Sequence, residues 1–182
     1  MWFNTLEHAR AKAIDKYVST YLQLATTDTK YGVSVRTMVF RGFSEDHRIL
    51  RLATDQRSHK LKGILQDSRA QIAWYLSDAR VQFRFFGHLS AISSTASVQS
   101  ERDELWDSLS LNTRLSFFAD AGGYTDEKSH KMAESCSAPD SFVLLKLSIS
   151  EVEVLDLNTQ PHSRLRYTLH GQSWSQRAMD LN

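Results

Sequence analysis

Apolar and polar residues alternate with a period of two over much of this chain. Val33, Val35, Thr37 and Val39 point one way and Ser34, Arg36, Met38 and Phe40 the other, which predicts a strand over residues 33–41. Residues 42–47 read as a turn and 49–54 as the return strand of a hairpin. Residues 72–76 form a short, nearly apolar segment suited to a central strand. Over 81–90 the alternation resumes, with Val81, Phe83, Phe85, Gly87 and Leu89 on one side and Gln82, Arg84, Phe86 and His88 on the other. Four more strands are predicted over 142–149, 152–157, 165–169 and 173–177. A period near 3.6 marks the helices. Leu6, Ala9, Ala13, Tyr17 and Tyr21 make one stripe over 2–24, with Asn4 or Thr5 as cap, and residues 26–32 then read as a loop. Ser58 suits the N-cap of a helix over 59–66 that buries Leu61, Ile64 and Leu65, although Gly63 costs it about 1 kcal/mol against alanine. Val98, Leu105, Trp106 and Leu109 stripe a helix over 97–110, Asn112 caps a further turn through Phe118, and 126–135 is a polar loop or short helix. Strands flanking a helical middle predict a mainly β fold with peripheral helices (α+β). The expected architecture is an antiparallel barrel of six or more strands, in one domain over residues 1–182.

Composition narrows the partners. The net charge is +1, so nothing drives the whole molecule toward nucleic acid or a membrane surface, and any anion site must be local. Cys136 is the only cysteine, which rules out an intrachain disulfide and favours a reducing compartment. No window of 18 apolar residues and no secretory pattern at the N-terminus is present, so a cytoplasmic location is expected. His88, His130, His162 and His170 lack metal-ligand spacing, and no metal is expected. There is no nucleophile elbow, phosphate loop or dinucleotide fingerprint.

Two groups of residues carry candidate chemistry. Arg36 is fixed in mid-strand, and Ser58, His59 and Lys60 open a predicted helix; together they would make a cradle for a phosphate. Taken singly, Arg36 reads equally as a solvated strand arginine and Ser58 as an ordinary cap. Arg41, Gln82 and Arg84 form the second group. Gln82 can donate to and accept from a planar heterocycle, or it belongs to a cross-strand polar pair. Phe83, Phe85 and Trp74 read as core.

Three segments in register, Arg36-Thr-Met-Val-Phe-Arg41, Leu52-Ala-Thr-Asp55 with Ser58-His-Lys60, and Gln82-x4-Gly87, resemble the flavin-binding split barrels of the pyridoxamine 5′-phosphate oxidase type. Glu104-Leu-Trp106 and Arg114 match the oxidase-related FMN-binding branch of that family. The resemblance implies a homodimer with two FMN molecules at the subunit interface. It assigns the FMN phosphate to Arg36 and the Ser58–His59–Lys60 corner. Thr37, Met38, Val39 and Thr54 would line the cofactor, and Gln82 would bond its ring or ribityl chain. Residues 114–123 are the implied contribution of the second subunit. The departures lie on the substrate side. His59 stands where the oxidases carry arginine, which makes the phosphate grip weaker or pH-dependent. Arg41 replaces a lysine that serves the substrate phosphate. The segment His162-Ser-Arg164-Leu-Arg166 lacks their Arg-x-His pair, a tryptophan is missing near Leu155, and Arg166 falls near the position of a flavin-contacting arginine. The expectation is an FMN-dependent oxidoreductase with an altered substrate site, in which Arg41 meets an anionic small molecule and no catalytic acid or base is assigned. A flavin carrier or sensor without turnover, and a genuine pyridoxamine 5′-phosphate oxidase, stay open beside it.

Overall fold

Alternating segments become strands throughout the computed structural model, which describes residues 1–28, 30–96, 99–119, 123–134 and 137–180. In chain order the elements are α1 (Trp2–Ala11), β1 (Tyr21–Asp28), β2 (Gly32–Val39), β3 (Ile49–Asp55), α2 (Lys60–Gln66), β4 (Arg69–Leu76), β5 (Val81–Ile92), α3 (Ser100–Ser108), α4 (Leu111–Leu115), α5 (Glu127–Glu134), β6 (Phe142–Asp156), β7 (Ser163–His170) and β8 (Ser173–Ala178). The strands form one antiparallel sheet in the order β2-β1-β4-β5-β6-β7-β8, with β3 paired to β6. The long β6 makes this possible. Its first half lies between β3 and β5, and its second half between β5 and β7. Following the first half closes the sheet as β3-β6-β5-β4-β1-β2, and the barrel stays split between β2 and β3.

Leu22, Leu24, Leu50, Leu52, Ile72, Trp74, Phe83, Phe85, Leu145 and Leu147 fill the barrel and are fully buried. At roughly 1.5–3 kcal/mol for each large side chain, this burial is the main stabilising contribution. Trp2 plugs one end, its ring 5.6 Å from Phe85 and 5.7 Å from Trp174 of β8. A second cluster, Leu105, Trp106, Leu109, Phe142 and Leu144, seats α3 on the outside of β6. Opposite it, β5 shifts register against β6 between Phe86 and Gly87. A Cβ on Gly87 would overlap the carbonyl oxygen of Ser148, so the close approach at this bulge requires glycine.

Several sequence expectations are corrected. The first helix stops at Ala11, not Leu24. Lys16 Nζ donates to the carbonyls of Arg10 and Ala11 at 3.2 and 2.7 Å, and Asp15 Oδ1 accepts from the N–H groups of Tyr17 and Val18, which turns the chain into β1. The stripe extended through Tyr17 and Tyr21 is accidental: Tyr17 is exposed and Tyr21 begins a strand that the loop assignment over 26–32 overlooked. Met1 rather than Asn4 or Thr5 occupies the first N-cap. The expected hairpin is reduced to its end: the Arg41 N–H donates to the Arg51 carbonyl, the Arg51 N–H to that of Gly42 and the Ser44 N–H to that of Ile49 around the Phe43–Leu50 bridge, while the bodies of β2 and β3 find longer partners, β1 and β6. Residues 142–149 and 152–157 are one strand. Leu65 is 83% exposed, since the short α2 turns only Leu61 and Ile64 inward. Ser110, not Asn112, caps α4, accepting from the Thr113 N–H. Val98 of the expected third helix and Cys136 lie outside the described residues.

Candidate functional site

β2 is an edge strand on the side that faces β3, and its alternation sends Ser34, Arg36, Met38 and Phe40 toward the inner side. Arg36 Nη1 donates to the buried Thr26 Oγ1 at 2.7 Å and to the Leu24 carbonyl at 3.3 Å, which anchors the guanidinium across β1. Its Nε and Nη2 donate to no described residue. From the other edge, the end of β3 supplies the buried Thr54, the following turn supplies Ser58, and α2 begins with Lys60. Lys60 Nζ donates to Thr54 Oγ1 at 2.6 Å and to Ser58 Oγ at 2.5 Å. Burial holds the Lys60 ammonium below its usual pKa, and the neighbouring Arg36 guanidinium lowers it further. Burial also lowers Arg36. Two half-buried cations therefore stand together, bonded only to neutral oxygens, and no described carboxylate forms an ion pair with either. Such a corner is unfavourable alone and suited to an anion with several acceptor oxygens.

Along the split, a cavity of about 240 Å³ is lined by Thr37, Met38, Val39, Arg41 and Ala53 and, from α4 and the turn after it, by Thr113, Ser116 and Phe117. The free edge of β2 presents backbone donors and acceptors here, which a flat heterocycle can use in place of a paired strand. Arg41 is half-buried, its Nε is hidden from water without a partner, and burial lowers its pKa. Ser116 and Phe117, in the stretch 114–123 that the resemblance gave to a second subunit, line the cavity of their own chain, as does Thr113 just before it; residues 120–122 of that stretch lie outside the described ones.

Gln82 lies elsewhere. It sits on the outer face of the sheet, three strands from β2, a separation of roughly 14 Å at the usual strand spacing. A separate cavity of about 150 Å³ is lined there by Gln82, Arg84, Glu153, Leu155 and Arg164. Glu153 is almost fully buried and receives hydrogen bonds from Arg164 at 2.7 Å and from both Nε and Nη2 of Arg166, with Arg84 at 3.5 Å. One chain thus brings Arg36, Thr37, Met38, Val39, Arg41, Thr54, Ser58 and Lys60 around the split and leaves Gln82 outside it. His59 turns away from Lys60 and lines a third hollow. Sequence reading missed Thr26 and Glu153. The Thr26 hydroxyl lay in a stretch read as a loop. Glu153 had a visible signal: an acid inside an apolar strand, with Arg164 and Arg166 on one face of the next.

Gly63 fixes the height of α2 over β1. A Cβ there would overlap the carbonyl oxygen of Thr27. Gly63→Ala, despite its better helix propensity, is expected to cost about 1–3 kcal/mol by overpacking. Chemical denaturation checks the sign, which propensity alone gives as stabilising.

A split barrel with a cationic corner at one end of the gap and a mostly apolar cavity along it defines a binding protein for a phosphorylated planar group. The chain belongs to the pyridoxamine 5′-phosphate oxidase family, the model of whose FMN-binding domain matches residues 1–93, and FMN is accordingly its cofactor. It is 32% identical over 149 residues to pyridoxine/pyridoxamine 5′-phosphate oxidase 2 of Arabidopsis thaliana, covering 78% of this chain and 75% of that protein. The crystal structure of a pyridoxamine 5′-phosphate oxidase-related, FMN-binding protein from Nostoc punctiforme superposes with a TM-score of 0.86 at 35% identity, over 98% of this chain and 97% of that one. PhzG of Burkholderia lata, solved with tetrahydrophenazine-1-carboxylic acid, shares the fold at a TM-score of 0.73 and 21% identity, over 98% and 88% of the two chains. Among the described residues no helix is long and apolar enough to cross a membrane.

Proposed function

We propose that this protein is an FMN-dependent oxidoreductase of a small anionic substrate, related to pyridoxamine 5′-phosphate oxidase but with an altered substrate site. The observation that carries the reading is the meeting of Arg36 and Lys60 at the split, bonded to neutral oxygens and, among the described residues, in ion-pair contact with no carboxylate, Asp28 and Asp55 acting on them only from farther off. Arg36, Ser58 and Lys60 would hold the phosphate, and the edge of β2 from Thr37 to Val39 would orient the ring. Bound FMN supplies the electron chemistry. Among the described residues, those lining the cavity along the split are Thr37, Met38, Val39, Arg41, Ala53, Thr113, Ser116 and Phe117, which would bind and orient the cofactor. Arg41 is the group placed to draw in an anionic substrate. Arg164 and Arg166 are already committed to Glu153, which argues against their reaching for a substrate phosphate.

A homodimer completes this reading. The outer face of β2 leaves Val33 and Val35 64% and 63% exposed, beside a recess that also holds Ala25, Ala70 and Phe86. Apolar exposure on an edge strand favours pairing with a second copy. Gln82 lies on that same outer face, so a second copy could bring its own Gln82 to the split.

The purified protein should be yellow, release FMN on denaturation, and run at twice the chain mass. Colourless protein that cannot be reconstituted with FMN would sink the reading. The activity named for the Arabidopsis relative favours a second one, oxidation of pyridoxamine 5′-phosphate, and aerobic mixing with that compound separates the two by whether peroxide forms.

A further inference from the structure

A further hollow lies past the Arg36–Lys60 corner and belongs to neither the split nor the barrel. It measures about 450 Å³ and is lined by Asp28, Tyr31, Ser34, His59, Lys62 and Gly63, with Lys30 at its rim. That volume falls in the roughly 300–1,000 Å³ range of ligand sites. Its position relative to the corner follows from the backbone. Ser34, Arg36 and Met38 are successive residues on one face of β2; Ser34 lines the hollow, Arg36 the corner and Met38 the cavity along the split. On α2, His59 precedes Lys60 and Gly63 follows it by about one turn. Asp28 feels both Arg36 and His59 through space. The corner therefore lies between two cavities.

The hollow is open to solvent, with Lys30, Tyr31, His59 and Lys62 exposed, and its groups are of complementary chemistry. The Lys62 backbone N–H donates to the His59 carbonyl at 3.2 Å, while its ammonium has no hydrogen-bond or ion-pair partner among the described residues. Asp28 Oδ1 accepts from the N–H groups of Lys30 and Tyr31 at 2.9 and 3.0 Å, which fixes the carboxylate at the turn. Its Oδ2 accepts from no described group. Tyr31 is 70% exposed, with Lys30 Nζ 4.8 Å from the ring centroid. An unpartnered cation suits a phosphate, an anchored carboxylate with a free oxygen suits the vicinal hydroxyls of a ribose, and an exposed aromatic ring suits a base.

We propose that this hollow receives the adenosine monophosphate half of FAD, so that the protein takes FAD as well as FMN, with the flavin phosphate in the Arg36–Lys60 corner in both. This rests on the reading of that corner as the FMN phosphate site. A separate electron donor fits the hollow less well. It must reach the ring, on the far side of the corner, whereas whatever is joined to the cofactor through its phosphate emerges toward the hollow. Lys62 meets the second phosphate, Asp28 the ribose and Tyr31 the adenine.

The test is titration calorimetry of flavin-free protein with FMN and with FAD, on the parent and on Lys62→Glu and Tyr31→Ala, both at exposed positions outside the corner. The parent should bind FAD with a Kd within about tenfold of that for FMN. Each variant should weaken FAD by about fivefold or more and leave FMN within about twofold, the difference expected for losing contacts that only FAD makes. An FAD Kd outside that range, or variants that treat the two flavins alike, would overturn the proposal while leaving FMN in place. Failure of FMN itself to bind would overturn the reading of the corner, and this inference with it.

Discussion

Replacing Arg36 and Lys60 together by alanine is expected to give a folded, colourless protein. Each side chain offers charge-assisted hydrogen bonds to a phosphate, worth about 1–3 kcal/mol apiece in FMN affinity. Because the two stand side by side, their losses need not add, and a combined weakening of roughly 10²–10⁴-fold is the expected range. Folding should not suffer, since the double change also removes two like charges held together out of water. Unchanged circular dichroism with lost flavin retention is therefore the predicted pair of results; retained FMN would place the phosphate elsewhere. The same geometry sets a pH dependence. Burial and Arg36 hold the Lys60 pKa below that of a free lysine, and the phosphate requires the ammonium form. FMN affinity should fall on the alkaline side, beginning below the pH at which an ordinary lysine loses its proton. Lys60→Arg, which stays charged, should flatten that limb.

Glu153→Ala should be the most damaging single substitution on the outer face. It removes the acid that two arginines bond and a third approaches, leaving Arg84 and Arg164 without a carboxylate partner among the described residues and Arg166 with Glu151 alone, at 3.5 Å. Loss of one member of a buried ion pair costs about 3–5 kcal/mol, and the partly wet arginines place this case near the lower figure. For a chain of this length, 3 kcal/mol lowers Tm by roughly 6–12 °C. Acid should reproduce part of the effect. Burial pushes the Glu153 pKa up, but the hydrogen bonds from Arg164 and Arg166 outweigh it and hold the carboxyl below its ordinary value. A depressed carboxylate contributes stability that is complete above its unfolded pKa and is lost as pH falls toward the folded one. Stability measured from pH 6 downward should fall in the parent and lose that component in Glu153→Gln. Equal acid sensitivity in both would remove Glu153 from the account.

Much of the barrel could be read from the sequence because strand periodicity does not depend on partners. The residues of β2 and β5 alternate as their burial does, and Phe83, Phe85 and Trp74 read as core. Pairing was less legible. Proximity in sequence favours a β2–β3 hairpin, and only the length of β6 shows why β3 goes elsewhere. That Arg36, Ser58 and Lys60 meet at one corner could be anticipated, because a phosphate site would need those groups together. Thr26 was not, since a hydroxyl that positions an arginine has no signature apart from the strand it lies on. Gln82 shows the limit most plainly: its residue type and spacing fit the resemblance, yet which face of the sheet it occupies, and so whose flavin it can touch, is a property of the assembled barrel.

The wedge of Trp2 between Phe85 and Trp174 has a bearing on biosynthesis. The start of α1 cannot complete its seat until β8, about 170 residues later, has been made, and β3 must likewise wait for β6. Long-range closure of this kind delays assembly and keeps strand edges open to neighbouring molecules. Slower translation or lower growth temperature should accordingly raise the soluble fraction on expression, and a rapid overproducing host should send more of the chain into inclusion bodies.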